Sequence, residues 1–107
     1  MTTVQSAVES SIRAAKIAEA LFIEKQGEPS YCGFAWVEVT VDRTNSKEAK
    51  ELLAAGFKRD YKARTLTLWN PGGLNTQSME IKEVGSHACA EVLRNYGFRA
   101  NAYIRAD

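Results

Sequence analysis

Apolar residues recur along this chain at two different periods, and the switches between them divide it into elements. From about Ser6 to Gln26 the spacing is helical, with Val4, Val8, Ile12, Ala15, Leu21 and Phe22 on one stripe and Gly27 and Pro29 stopping the run. Glu9 stands four residues before Arg13 and supports the same helix. From Gly33 to Asp42 the period drops to two. Ala35, Val37, Val39 and Val41 take one face, and Phe34, Trp36, Glu38, Thr40 and Asp42 the other, as in a strand buried on one side. Helical spacing returns over Ser46 to Ala55, with Asn45 expected as the cap, Glu48 at the capping-box position and Ala49, Leu52 and Leu53 facing inward. Phe57 to Tyr61 and Arg64 to Trp69 read as a hairpin turning at Asp60 to Ala63. After Pro71-Gly72-Gly73 a third helix is predicted from Met79 to Tyr96, capped by Ser78, with Ile81, Val84, Ala88, Val92 and Tyr96 inward. A last strand, Phe98 to Ala106, sets Ala100, Ala102 and Ile104 against Arg99, Asn101, Tyr103 and Arg105.

Beyond the first helix this order is strand, helix, strand, strand, helix, strand, which predicts an α+β, ferredoxin-like βαββαβ antiparallel sheet in the order 4-1-3-2 with two helices on one face. The expected division is an N-terminal helix and linker over 1-30 and the α+β domain over 31-107. The helices take the Val and Leu face of the sheet. The opposite face then carries Phe34, Trp36, Thr67, Trp69, Tyr103 and Arg105, more aromatic surface than a monomer normally leaves in water. Three covers fit: the extra N-terminal helix, a second subunit, or a ligand such as single-stranded RNA stacking on the rings.

Composition narrows the partners. The 107 residues hold 14 Lys plus Arg against 13 Asp plus Glu, a formal charge of +1, so no whole-molecule field draws the chain to nucleic acid or lipid. Nucleic acid therefore ranks behind other ligands, the more so because Arg64-Thr65-Leu66-Thr67-Leu68-Trp69 lacks the usual RNA-binding consensus. No apolar run spans a bilayer and the N-terminus has no signal-peptide pattern, which points to the cytoplasm. Cys32 and Cys89 lack CxxC spacing, and one His makes no metal cluster.

The predicted topology gathers four distant segments at one pole of the sheet: Cys32, Gly33 and Phe34; Trp69 and Asn70; Gln77, Ser78, Lys82 and Glu83; and Arg105 with Asp107. A helix start beside Lys82 and Arg105 suits a phosphate or carboxylate. The bland alternative has Ser78 only capping the helix, Arg105 pairing with Glu83 or Asp107, and Trp69 packed under the loop. Both cysteines read as buried and structural. His87 lies too far into its helix to serve Cys32 as a base, and there is no Walker loop, GxGxxG or Ser-His-Asp pattern. No catalytic residue, cofactor or metal is assigned, and the expectation is a protein that binds and does not catalyse.

Cys32-Gly33-Phe34-Ala35-Trp36-Val37, Gln77-Ser78 followed by Lys82-Glu83, and the Arg105-Ala106-Asp107 ending together resemble a family of small uncharacterised proteins of tailed bacteriophages. The resemblance covers about residues 31 to 107. It implies a phage product acting in the host cytoplasm, with a place in the virion as the other location, and carries no reaction with it. The leading expectation is a binding protein for host takeover or counter-defence that holds a host protein or a small anionic or nucleotide-like ligand at the pole. The alternatives are single-stranded nucleic acid on the sheet face through Trp36, Thr67 and Tyr103, and an assembly or virion component that self-associates through the N-terminal helix or the sheet face. No membrane role is expected.

Overall fold

A computed structural model describes residues 3–26, 32–74 and 78–106. Over these described residues the chain is α+β, with three helices and a four-stranded antiparallel sheet: α1 (Thr3–Gln26), β1 (Gly33–Thr40), α2 (Lys47–Ala54), β2 (Lys58–Arg59), β3 (Thr65–Trp69), α3 (Met79–Asn95) and β4 (Arg99–Ala106). The sheet order is β2-β3-β1-β4, so β1 sits inside, between β3 and β4. Its register pairs Trp36 with both Trp69 and Tyr103, and Glu38 with both Thr67 and Asn101. Directly paired residues share a face, so the whole outer row follows from these pairings.

The inner face holds the core. Val37, Val39, Val41, Leu66 and Ala100 pack with Leu52, Phe57, Cys89 and Leu93, and Ala7, Val8 and Ala15 of α1 enter the same cluster. Helix α1 lies mainly along α3, with a smaller contact to α2. Small residues allow this. Ala7, Ser11 and Ala15 recur every fourth position and are fully buried, as are Ser86, Cys89 and Ala90 on α3. Ser11 turns its hydroxyl onto the Val8 carbonyl at 2.7 Å and bonds the Cys89 thiol, whose pKa burial pushes up to about 11. Cys89 is therefore an inert core thiol near neutral pH.

Several sequence expectations change here. The N-terminal helix does not cover the aromatic sheet face, because its buried row is the small-residue one on the α3 side. Leu21, expected in the apolar stripe, is half exposed, and Glu19 is buried instead. The α2 cap is Ser46 and not Asn45: its side chain accepts from the Ala49 N–H at 3.1 Å. In α3 the fully buried positions are Ile81, Gly85, Ser86, Cys89, Ala90 and Leu93, whereas Tyr96 is 46% exposed, because this helix packs on the sheet with one side and on α1 with another. Among the described residues no helix is long and apolar enough to cross a membrane.

Candidate functional site

Strand alternation places Phe34, Trp36 and Glu38 of β1, Thr67 and Trp69 of β3, and Tyr103 and Arg105 of β4 on the face away from the helices. The aromatics form one row across three strands. Trp36 and Trp69 stack with centroids 4.6 Å apart and 19° between planes, and Tyr103 stacks on the other side of Trp36 at 6.1 Å and 20°. Phe34 meets Trp69 edge-on at 6.1 Å. Trp69 is 47% exposed and Tyr103 41%, so the row faces solvent.

Cations border the row at both ends. Arg105 and the Lys82 ammonium each lie 5.4 Å from the Phe34 ring centre, and Lys62 lies 5.4 Å from that of Tyr103. Lys62 comes from the turn joining β2 and β3, which Asp60 shapes by accepting from the Tyr61 N–H at 2.7 Å. It reaches across the sheet to Glu38, with Nζ 3.2 Å from each carboxylate oxygen, and this bond raises the Lys62 pKa above the ordinary lysine value. The Trp36 indole N–H also donates to Glu38 Oε2, at 3.0 Å. Trp36, Trp69, Glu38, Thr67, Tyr61 and Lys62 contribute to the lining of a pocket of about 160 Å³ on this face.

The pole predicted from sequence assembles only in part. Cys32 bridges to Ser78, the Lys82 ammonium donates to the Gly33 carbonyl at 3.1 Å, and Phe34 carries Lys82 and Arg105. Gly33 is needed there, since a Cβ would stand 2.7 Å from the Met79 sulfur and 2.8 Å from the Arg105 carbonyl oxygen. Ser78 is 3% exposed and its side chain caps the Ile81 N–H at 3.4 Å, so the helix start is closed by the protein's own groups. Asn70 donates to the Leu74 carbonyl within its own turn, and Glu83 pairs with His87 along α3 at 3.6 Å. Trp69 is not packed under the loop, and Cys32 is exposed where burial was expected. Gln77 and Asp107 lie outside the described residues.

A second polar feature sits on the helix side. Glu19 is 2% exposed, its Oε2 has no hydrogen-bond partner among the described residues, and burial pushes its pKa from 4.5 to about 7 against the pull of Lys82. The carboxylate fills a gap that two glycines leave for it. A Cβ at Gly72, after β3, or at Gly85, on α3, would collide with it. Lys16, Ile23, Gly72 and Leu74 help to line a cleft of about 290 Å³ beside Glu19.

Sequence reasoning missed Lys62 and Glu19, and treated Glu38 only as an outward strand residue. Glu38 was findable, lying two positions from Trp36 on the exposed face. Lys62 was not, because nothing local fixes where a turn lysine points. Glu19 continues the four-residue spacing of Ala7, Ser11 and Ala15, which was the available signal. Comparison of the chain with protein-family models, with curated proteins and with solved structures returns no match.

Proposed function

We propose that this protein binds single-stranded nucleic acid on the open face of its sheet, carried on a ferredoxin-like frame, and that it does so as a phage product in the infected cell. The observation that supports this best is the stacked row Tyr103–Trp36–Trp69, left bare by all three helices and bordered by Lys62, Lys82 and Arg105. Bases stack on aromatic rings without regard to sequence, and cations at the rim track the phosphates. The anionic-ligand reading of the pole merges with this one, because Arg105 and Lys82, both over Phe34, form the cationic end of the aromatic row. A protein partner would suit an aromatic face as well, but a rim of three cations favours a polyanion.

The near-zero net charge matters less than its placement, since a local patch suffices for strands of a few nucleotides. Fluorescence anisotropy with labelled single-stranded RNA and DNA, and with a duplex as control, tests the reading. Single strands are expected to bind at low salt and to be released as salt rises, with the duplex weaker. No binding of either single strand at low salt rejects it.

A further inference from the structure

The Glu38 carboxylate is an unusual group to find on a face of this kind, since a negative charge repels phosphate. It is also held in an unusual way. Its side chain is only 10% exposed, the Trp36 indole N–H fixes Oε2, and both oxygens converge at 3.2 Å on one point in front of the sheet, occupied by the Lys62 ammonium. Lys62 is itself 49% exposed and belongs to an exposed turn, so it can leave without disturbing the core. The point it occupies demands a donor, because an ionised carboxylate only accepts hydrogen bonds.

We propose that Glu38 is the base-reading group of this surface and that it selects guanine, with Lys62 standing in for the base when the site is empty. This rests on the nucleic-acid reading given above. Guanine alone among the common bases offers two adjacent donors on one edge, N1–H and the N2 amino group, one for each of the two carboxylate oxygens that the single Lys62 ammonium now holds. Adenine and cytosine place an acceptor beside their amino group, and uracil has one N–H between two acceptors; each sets a lone pair against the carboxylate and leaves an oxygen unsatisfied. The pocket beside Glu38 is bounded by Trp36 and Trp69 and, at about 160 Å³, is smaller than sites for drug-sized ligands, which suits one base. As guanine enters, Lys62 exchanges the carboxylate for the strand's phosphate, so the cation is kept at the interface.

The test compares oligouridylates carrying one central guanosine, adenosine, cytidine or inosine, bound to the wild-type chain and to Glu38→Gln. Inosine keeps N1–H and lacks the N2 amino group, so it probes the second hydrogen bond from the ligand side and needs no mutant to fold. The wild type is expected to bind the guanosine strand about fivefold to a hundredfold tighter than the adenosine strand, with inosine in between. The guanosine-to-inosine ratio is expected to fall to near one in Glu38→Gln. Equal affinity for guanosine and inosine in the wild type, or a ratio unchanged by Glu38→Gln, overturns the role of Glu38 while leaving sheet-face binding standing. Failure of the wild type to bind any of the strands overturns both.

Discussion

Trp36 and Trp69 stand directly opposite each other on β1 and β3 and stack with their ring centres 4.6 Å apart. An offset stack of this kind contributes about 0.5–1.5 kcal/mol beyond its buried area. The sheet thus gains from the pair even though Trp69 is 47% exposed. With Tyr103 on the far side of Trp36, the stack also offers two outer ring faces to a ligand.

Trp69→Ala and Tyr103→Ala, which remove the two outer rings of the stack, are each expected to weaken single-strand binding by about 1–3 kcal/mol, the usual worth of one base stacked on an aromatic ring. Anisotropy titrations measure the loss, and circular dichroism checks that the sheet survives. Trp36→Ala is expected to cost more stability than Trp69→Ala, because Trp36 is sandwiched between two rings and anchors Glu38.

Arg105 lies over Phe34 and also borders the pocket beside Glu38, where its guanidinium is placed to meet a phosphate while Glu38 meets the base. Arg105→Ala is expected to weaken all single strands alike and to reduce the slope of log K against log salt by roughly 0.7, the value for one lost phosphate contact. A change confined to guanine-containing strands would assign Arg105 a different role.

Glu19 makes stability depend on pH with a definite sign. Its pKa is raised from 4.5 to about 7 in the folded chain. Below 4.5 both states hold the proton, and Glu19 adds no slope. Between 4.5 and 7 the unfolded chain ionises first, so stability falls as pH rises; above 7 the loss is complete, at about 3 kcal/mol from this group. Urea unfolding at several pH values is expected to show the decline, and Glu19→Gln, which keeps the shape without the charge, is expected to flatten it.

Gly72→Ala is expected to destabilise by about 1–3 kcal/mol, the usual range for an overpacked interior. The added Cβ collides with the Glu19 carboxylate. Glu19→Ala removes the obstacle, so the double variant is expected to lose less than the sum of the single ones, a coupling readable from denaturation midpoints. Additive losses would mean that the glycine serves the backbone alone.

This glycine illustrates how far the sequence could be read. Pro71-Gly72-Gly73 declares a turn, and Asn70 and Gly73, both at positive φ, supply it. That Gly72 must also admit a carboxylate from α1 was invisible, since the contact joins residues more than fifty positions apart. Strand alternation made Phe34, Trp36, Thr67, Tyr103 and Arg105 legible as one face, because period two fixes direction without tertiary knowledge. The packing of α1 was not legible in the same way. Its large apolar residues suggested one stripe, but close approach to α3 is governed by Ala7, Ser11 and Ala15, which hydrophobicity barely registers. At the pole, topology brought Cys32, Gly33, Phe34, Ser78, Lys82 and Arg105 together, whereas the closing of the helix start by Ser78 depends on side-chain detail.

Nuclear magnetic resonance titration of the isotope-labelled chain with a short single-stranded RNA at low salt shows directly whether the aromatic sheet face is the binding surface. Shifts are expected to be confined to β1, β3, β4 and the turn bearing Lys62, with the Trp36 and Trp69 indole N–H signals moving most. Signals that stay in place, or that move on α1 and α3 while the indoles do not, would contradict binding on this face.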